Sequence, residues 1–140
     1  MKAATGNAML MNIIIVFLVA VMALLVTSIS YTKAFRIKNR IIDIIEYHNG
    51  NFSTGNIQSE INSSLSSIGY RYNNGKQCPI LDNGNTSVSY AGTDYLYCIY
   101  TYNSNRGKYY KVIAYMYFDF PIIGEHINIP VYGETRVFYE

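Results

Sequence analysis

Two cysteines, two histidines, a scatter of carboxylates and a crowd of tyrosines are the residues of this chain with chemistry to offer. Cys78 and Cys98 form an even, isolated pair without the CxxC or Cys/His spacing of a metal site, so they read as a disulfide. Such bridges form and persist in oxidising compartments. His48 and His126 lie far apart, and neither has a Cys or Ser with an activating partner close in sequence. Asp82, Asp94, Asp119, Glu125 and Glu134 are spread through expected loops and strand ends, and nothing singles out an acid–base pair among them. HExxH, GxSxG, a phosphate-binding glycine loop and a dinucleotide fingerprint are all missing. The expectation is a protein that is not an enzyme, with no catalytic residue, no metal and no cofactor.

Tyrosine is the loudest compositional signal. Tyr90, Tyr95, Tyr97, Tyr100, Tyr102, Tyr109, Tyr110, Tyr115 and Tyr117 crowd into one hairpin region. Tyrosine offers a rigid ring with a polar tip and suits binding surfaces. It also suits strands, where rings pack across the ladder, and that reading accounts for most of these. In an extended chain Tyr95 and Tyr97 point to the opposite face from Tyr100 and Tyr102, so they cannot form one patch. The candidate binding surface is the face assigned Tyr109, Ile113, Tyr115 and Tyr117. Matches to N-x-[ST] at Asn51, Asn62 and Asn85 are expected by chance in a chain so rich in Asn and Ser.

The element that must position all of this is Met9–Val26, an apolar run interrupted only by Asn12. A hydrocarbon core of roughly 30 Å needs about 20 helical residues, so the run is long enough to span a bilayer. No proline or glycine occurs between Asn7 and Asn49, so the helix continues beyond the apolar run. Ile37, Ile41, Ile44 and Ile45 recur on one face of that continuation and are expected to dock on a sheet. Gly50 is the expected C-cap. A helix over 8–48 would be about 60 Å long, half in lipid and half projecting from it.

Charge is divided along the chain. Residues 1–40 carry Lys2, Lys33, Arg36, Lys38 and Arg40 with no acid, while residues 41–140 carry six bases and nine acids. The basic cluster therefore sits at the membrane edge, where snorkelling and headgroup contact explain it. Nucleic-acid binding would need a basic face on the folded part, which is missing. Topology signals conflict. The positive-inside rule would place Lys33–Arg40 in the cytoplasm. Against it, the following domain holds the cysteine pair, has few lysines and is rich in Tyr, Asn, Ser and Gly, so it is taken as extracytoplasmic. A cleaved signal peptide ending near Ser28-Ile29-Ser30 is the alternative, although the apolar run exceeds the roughly 7–15 residues usual for one.

Read in order, the 140 residues form a short leader (1–6), a transmembrane and amphipathic helix (7–49), and an extracytoplasmic α+β domain (50–140). Without the first 49, about 90 residues remain, enough for one sheet with a helix on it. Ile57, Ile61, Leu65 and Ile68 predict a short second helix, capped near Thr54 or Asn56 and stopped by Gly69. Asp43 and Glu46 are expected to be solvated. From Tyr70 the period changes to two. Tyr70–Tyr72, Ser87–Ala91, Tyr95–Tyr102 and Lys108–Phe120 are expected strands, the last two joined by a five-residue loop, Asn103–Gly107. Ile127–Tyr139 is broken by Pro130 and Gly133, which makes it an edge strand or two short ones. The expected fold is α+β: a long helix, a short one and an antiparallel sheet of about four strands.

This layout resembles the type IV pilin-like proteins, and is most similar to the minor pseudopilins of tight-adherence (TadE-like) systems. The likeness rests on the basic leader Met1-Lys2-Ala3-Ala4-Thr5-Gly6 with its apolar run, and on Ala34-Phe35-Arg36-Ile37-Lys38-Asn39-Arg40-Ile41-Ile42. It also rests on the closing segments Phe118-Asp119-Phe120-Pro121, Ile127-Asn128-Ile129-Pro130 and Gly133-Glu134-Thr135-Arg136. The resemblance implies a structural subunit held in the bacterial cytoplasmic membrane, processed after Gly6 and able to enter a surface pilus. Its partners would be lipid, other pilin-like subunits and the assembly machinery. Met9, Ile13, Phe17, Val21 and Leu24 would then pack in the membrane or filament. One departure is plain. The family's glutamate at the fifth mature position is Met11 here, so the neighbouring subunit's terminal amine would lack its usual counter-charge. That implies an initiating, tip or assembly role more than a bulk subunit. The rival expectation is a single-pass anchored, or secreted, binding domain.

Overall fold

The computed structural model describes residues 2–52, 56–70, 75–81, 88–91, 95–119 and 126–139. Helix α1 runs unbroken over Lys2–Tyr47, 46 residues and so about 70 Å. It starts within the expected leader, because Lys2, Ala3 and Ala4 are good helix formers. The single Gly6 costs only about 1 kcal/mol relative to Ala and does not break a helix. The end differs from expectation by one residue. Gly50 N–H donates to Ile45 O at 2.9 Å and Asn49 N–H to Glu46 O at 3.1 Å, so Asn49 takes the first left-handed position, at φ 50°, and Gly50 follows at 69°. A Cβ on Gly50 would lie 2.6 Å from the Tyr110 ring, whose hydroxyl donates to Gly50 O at 3.0 Å. The turn needs both a permissive backbone and an absent side chain.

Helix α2, Asn56–Ile68, buries Ile57, Ile61 and Leu65 at four-residue intervals. Gly69 ends it as expected, with φ 70°, and Tyr70 N–H reaches back to Leu65 O at 3.0 Å. Thr54, one of the two expected caps, lies outside the described residues.

The sheet is antiparallel. Its long strands are β2 (Tyr97–Ser104), β3 (Gly107–Asp119) and β4 (His126–Glu134), and the four-residue β1 (Val88–Ala91) runs beside β2 with a register shift between Val88 and Tyr90. The order is β1-β2-β3-β4. The connection from β2 to β3 is tighter than the five-residue loop expected. Asn103 pairs with Lys108 and Ser104 with Gly107, leaving Asn105-Arg106 as the turn. Gly107 closes it at φ 139°, where a Cβ would collide with the backbone carbonyl of Phe138. Strand β4 runs through Pro130 without breaking. It is the sheet's edge, where a missing donor is tolerated. Phe138 then forms a separate bridge to Lys108. Of the expected Tyr70–Tyr72 strand, Tyr70 belongs to no strand and the other two residues lie outside the described ones.

Helix α1 changes its surroundings halfway along. Ala34, Ile37, Ile41, Ile44 and Ile45 are buried, and the four isoleucines join Ile57, Ile61 and Leu65 of α2 and Tyr97, Ile99, Val112 and Ala114 of the sheet in one core. Ala34 packs on Met116 and Val131. Before Ala34 none of the described head residues buries an apolar residue of α1: Phe17 is 66% exposed where Ile41 is 0%. Strand β3 is therefore antiparallel to α1, with Met116 near the apolar half and Tyr110 at the far end. Truncating Ile41 to Ala should cost the head about 2–5 kcal/mol, read as a fall in denaturant midpoint in detergent. Truncating Ile14 should leave that midpoint unchanged.

Candidate functional site

The disulfide joins Cys78 to Cys98, the second residue of β2. It holds the segment 75–81 against the face of the sheet turned away from α1. There Cys98, Tyr100 and Ile113 form a second core with Leu81, Tyr102 and Tyr115 around it. Tyr100 adds a polar tie by donating its hydroxyl to Pro79 O. Closing a loop of this length contributes about 3 kcal/mol on chain-entropy estimates, and a segment with no regular structure of its own benefits from it.

The tyrosines divide between the two faces as alternation dictates. Tyr95 and Tyr97 enter the α1 side, and Tyr100 and Tyr102 the other. Of the candidate surface, Tyr109 stacks on Tyr102, with centroids 5.3 Å apart, and Tyr115 lines the disulfide side. Lys111 lies between them along β3, its ammonium 5.9 Å from the Tyr102 ring and 5.5 Å from the Tyr132 ring. Tyr117 does not join this row. It meets Tyr70 edge-on at 5.6 Å and packs against the α1-side core, so the three named tyrosines are not one patch.

Tyr70 is the residue that sequence reading missed. Its hydroxyl accepts from Tyr115 N–H at 3.0 Å and lies 2.8 Å from Leu96 O and 3.2 Å from Tyr115 O. Strand β2 begins only at Tyr97, so the ladder has no strand partner for Tyr115 on that side, and the phenol fills the place of a backbone donor and acceptor. Burial pushes the Tyr70 phenol up, against the opposing pull of the Tyr115 N–H. Burial also raises Tyr100, to about 12, and Tyr115, each reinforced by neighbouring phenols.

Three further contacts occupy the polar side and end of α1. Glu46, expected to be solvated, accepts from Arg136 N–H at 2.8 Å, and the Arg136 guanidinium reaches Asn49 Oδ1 at 3.2 Å. The chain after β4 is thereby fastened to the end of α1. His48 Nε2 lies 2.8 Å from Glu60 Oε2 and ties α1 to α2. Of the remaining carboxylates, Asp82, Asp94 and Glu125 lie outside the described residues. Among the described residues no group of three or more His, Cys, Asp or Glu is gathered in metal-binding reach.

Met9, Ile13, Phe17, Val21 and Leu24 are all exposed on the bare half of α1, and Gly6 is exposed in its first turns. Where that half meets the head, a crevice of about 540 Å³ opens between Val26–Ile37 of α1 and Gly69, Tyr70 and Tyr115–Tyr117. Comparison with protein-family models, with curated proteins and with solved structures finds no match.

Tyr70→Phe removes the hydroxyl and strands the Tyr115 amide, so it should cost about 1–3 kcal/mol at neutral pH. The raised phenols give the sign at high pH. The unfolded chain releases protons near the ordinary value of 10.0 while the fold retains them, so their contribution is full below that value and lost as pH rises through the folded values. The denaturant midpoint should fall from about pH 10 upward, and less steeply for Tyr70→Phe.

Proposed function

We propose that this chain is a minor pilin-like structural subunit of a tight-adherence type, held in the membrane by the bare half of α1 and presenting an extracytoplasmic head. One observation carries the reading. A single unbroken helix is exposed on all sides over its apolar half and built into the core of an antiparallel sheet over the other. An apolar surface of that kind is satisfied by lipid or by neighbouring helices of the same character. Extraction into a filament then exchanges one apolar setting for another. The disulfide supports a head in an oxidising compartment. In this reading the sheet counts four strands, with β1 outermost, and Met11 in place of a carboxylate suits an initiating or tip subunit.

A simple single-pass anchored domain is the second reading, and Met11 is the feature that favours it. The bare half of α1 is also compatible with a signal sequence. Mass spectrometry of the mature N-terminus in the native host separates the three. The pilin reading predicts a chain beginning at Asn7 and its recovery in sheared surface filaments. Retention of Met1 would favour the plain anchor, and a start at Tyr31 a secreted head. Either would overturn the proposal.

A further inference from the structure

We infer that the crevice beneath the head is a binding site for one anionic phospholipid, its phosphate on Lys33 and its upper acyl chain against Val26 and Ile29. The inference rests on the membrane reading of α1. The span Ala8–Val26 measures about 28 Å as helix, close to the roughly 30 Å of a hydrocarbon core. Val26 and Ile29 therefore stand at the lipid boundary, and Lys33 about 10 Å above Val26. Helical side chains lean toward the N-terminus and lysines extend down to headgroup level, so its ammonium belongs in the phosphate layer.

The crevice has the matching shape and charge. Its 540 Å³ is open and bounded on the head side by the tyrosines 70, 115 and 117, residues suited to the wet edge of a bilayer. Lys33 Nζ donates to Gly69 O at 2.6 Å, which fixes the ammonium in the wall. An ammonium has three protons, and among the described residues the other two have no partner. Among the described residues no acid lines the crevice, and none occurs in the sequence before Asp43. Arg36, one turn on, is exposed and lies outside the crevice lining. The remaining bases are turned to other tasks: Lys38 lies 4.1 Å over the Phe35 ring, and Arg40 donates to Ser64 Oγ at 3.4 Å. Charge complementarity therefore selects an anionic headgroup at Lys33, not a diffuse basic belt. A neighbouring subunit's apolar helix would leave that cation facing hydrocarbon.

The test uses the full chain in nanodiscs of mixed phosphatidylcholine and phosphatidylglycerol, with retained lipid counted by native mass spectrometry. Wild type should keep one phosphatidylglycerol, and Lys33→Gln should retain it about fivefold less, while Lys38→Gln matches wild type. Lys33→Gln also removes the Gly69 contact, so Ser30→Trp serves as a second variant that fills the crevice and spares that contact. It should lose the lipid with the head's melting unchanged. Equal retention of both lipids, indifference to both variants, or a cross-link from residue 117 to a second copy in the same discs would overturn the site. Loss of the protein from membranes on carbonate washing would instead overturn the membrane reading itself.

Discussion

The continuity of α1 is the constraint on which the rest of the molecule depends. The 46 residues Lys2–Tyr47, which hold no proline and only Gly6 as a glycine, share one axis while their surroundings change completely. An isolated helix of this length gains little from propensity alone, and each half needs an apolar partner. For Ile37–Ile45 the partner is the sheet and α2. For Met9–Val26 the described residues supply none, and an exposed apolar cylinder of that length is stable in water only if something else covers it.

The head is built to hold that rod at a fixed height. Its fastenings lie at both ends of the docked half. At the far end Tyr110 caps Gly50, and Glu46 and Asn49 hold the chain after β4. At the near end Lys33 fixes the close of α2, and Ala34 meets Met116 and Val131. Buried phenols serve as ladder parts: Tyr70 completes β3 where β2 has not begun, and Tyr100 ties the disulfide segment to the sheet. In Tyr70, Tyr100 and Tyr110 a ring fills core volume while the hydroxyl pairs with backbone groups.

Periodicity made the skeleton legible. The isoleucine spacing in α1, the Ile57–Leu65 spacing in α2, the dense strands around Tyr100 and Ile113, and the cysteine pair all follow from local rules that the structure obeys. What local rules could not supply were contacts between residues distant in sequence. Glu46 read as solvated because its partner, the Arg136 amide, lies 90 residues away. Tyr70 read as a strand residue, since nothing in its neighbourhood reveals a gap in a ladder formed 45 positions later. Strict alternation groups Tyr117 with Tyr109 and Tyr115, whereas Tyr70 draws it to the other core. The tight turn at Asn105-Arg106 needed knowledge that Gly107 passes against Phe138.

The basic residues that follow the apolar run illustrate how one sequence feature can carry several roles. Read as a topology signal they oppose the disulfide, yet in the fold Lys33 and Arg40 bind α2 and Lys38 covers Phe35. Packing within the head therefore accounts for three of these four bases. The most direct test of the rod is a nitroxide scan along α1 in liposomes, with a single introduced cysteine at each position and the native pair left bridged. Residues 9–26 should be reached by oxygen on every side and shielded from a polar nickel chelate. Beyond Ala34, protection should recur with the helical period on the Ile37–Ile41–Ile44 face. Chelate access throughout 9–26, or a break in periodicity between 27 and 34, would contradict a single helix shared between membrane and head.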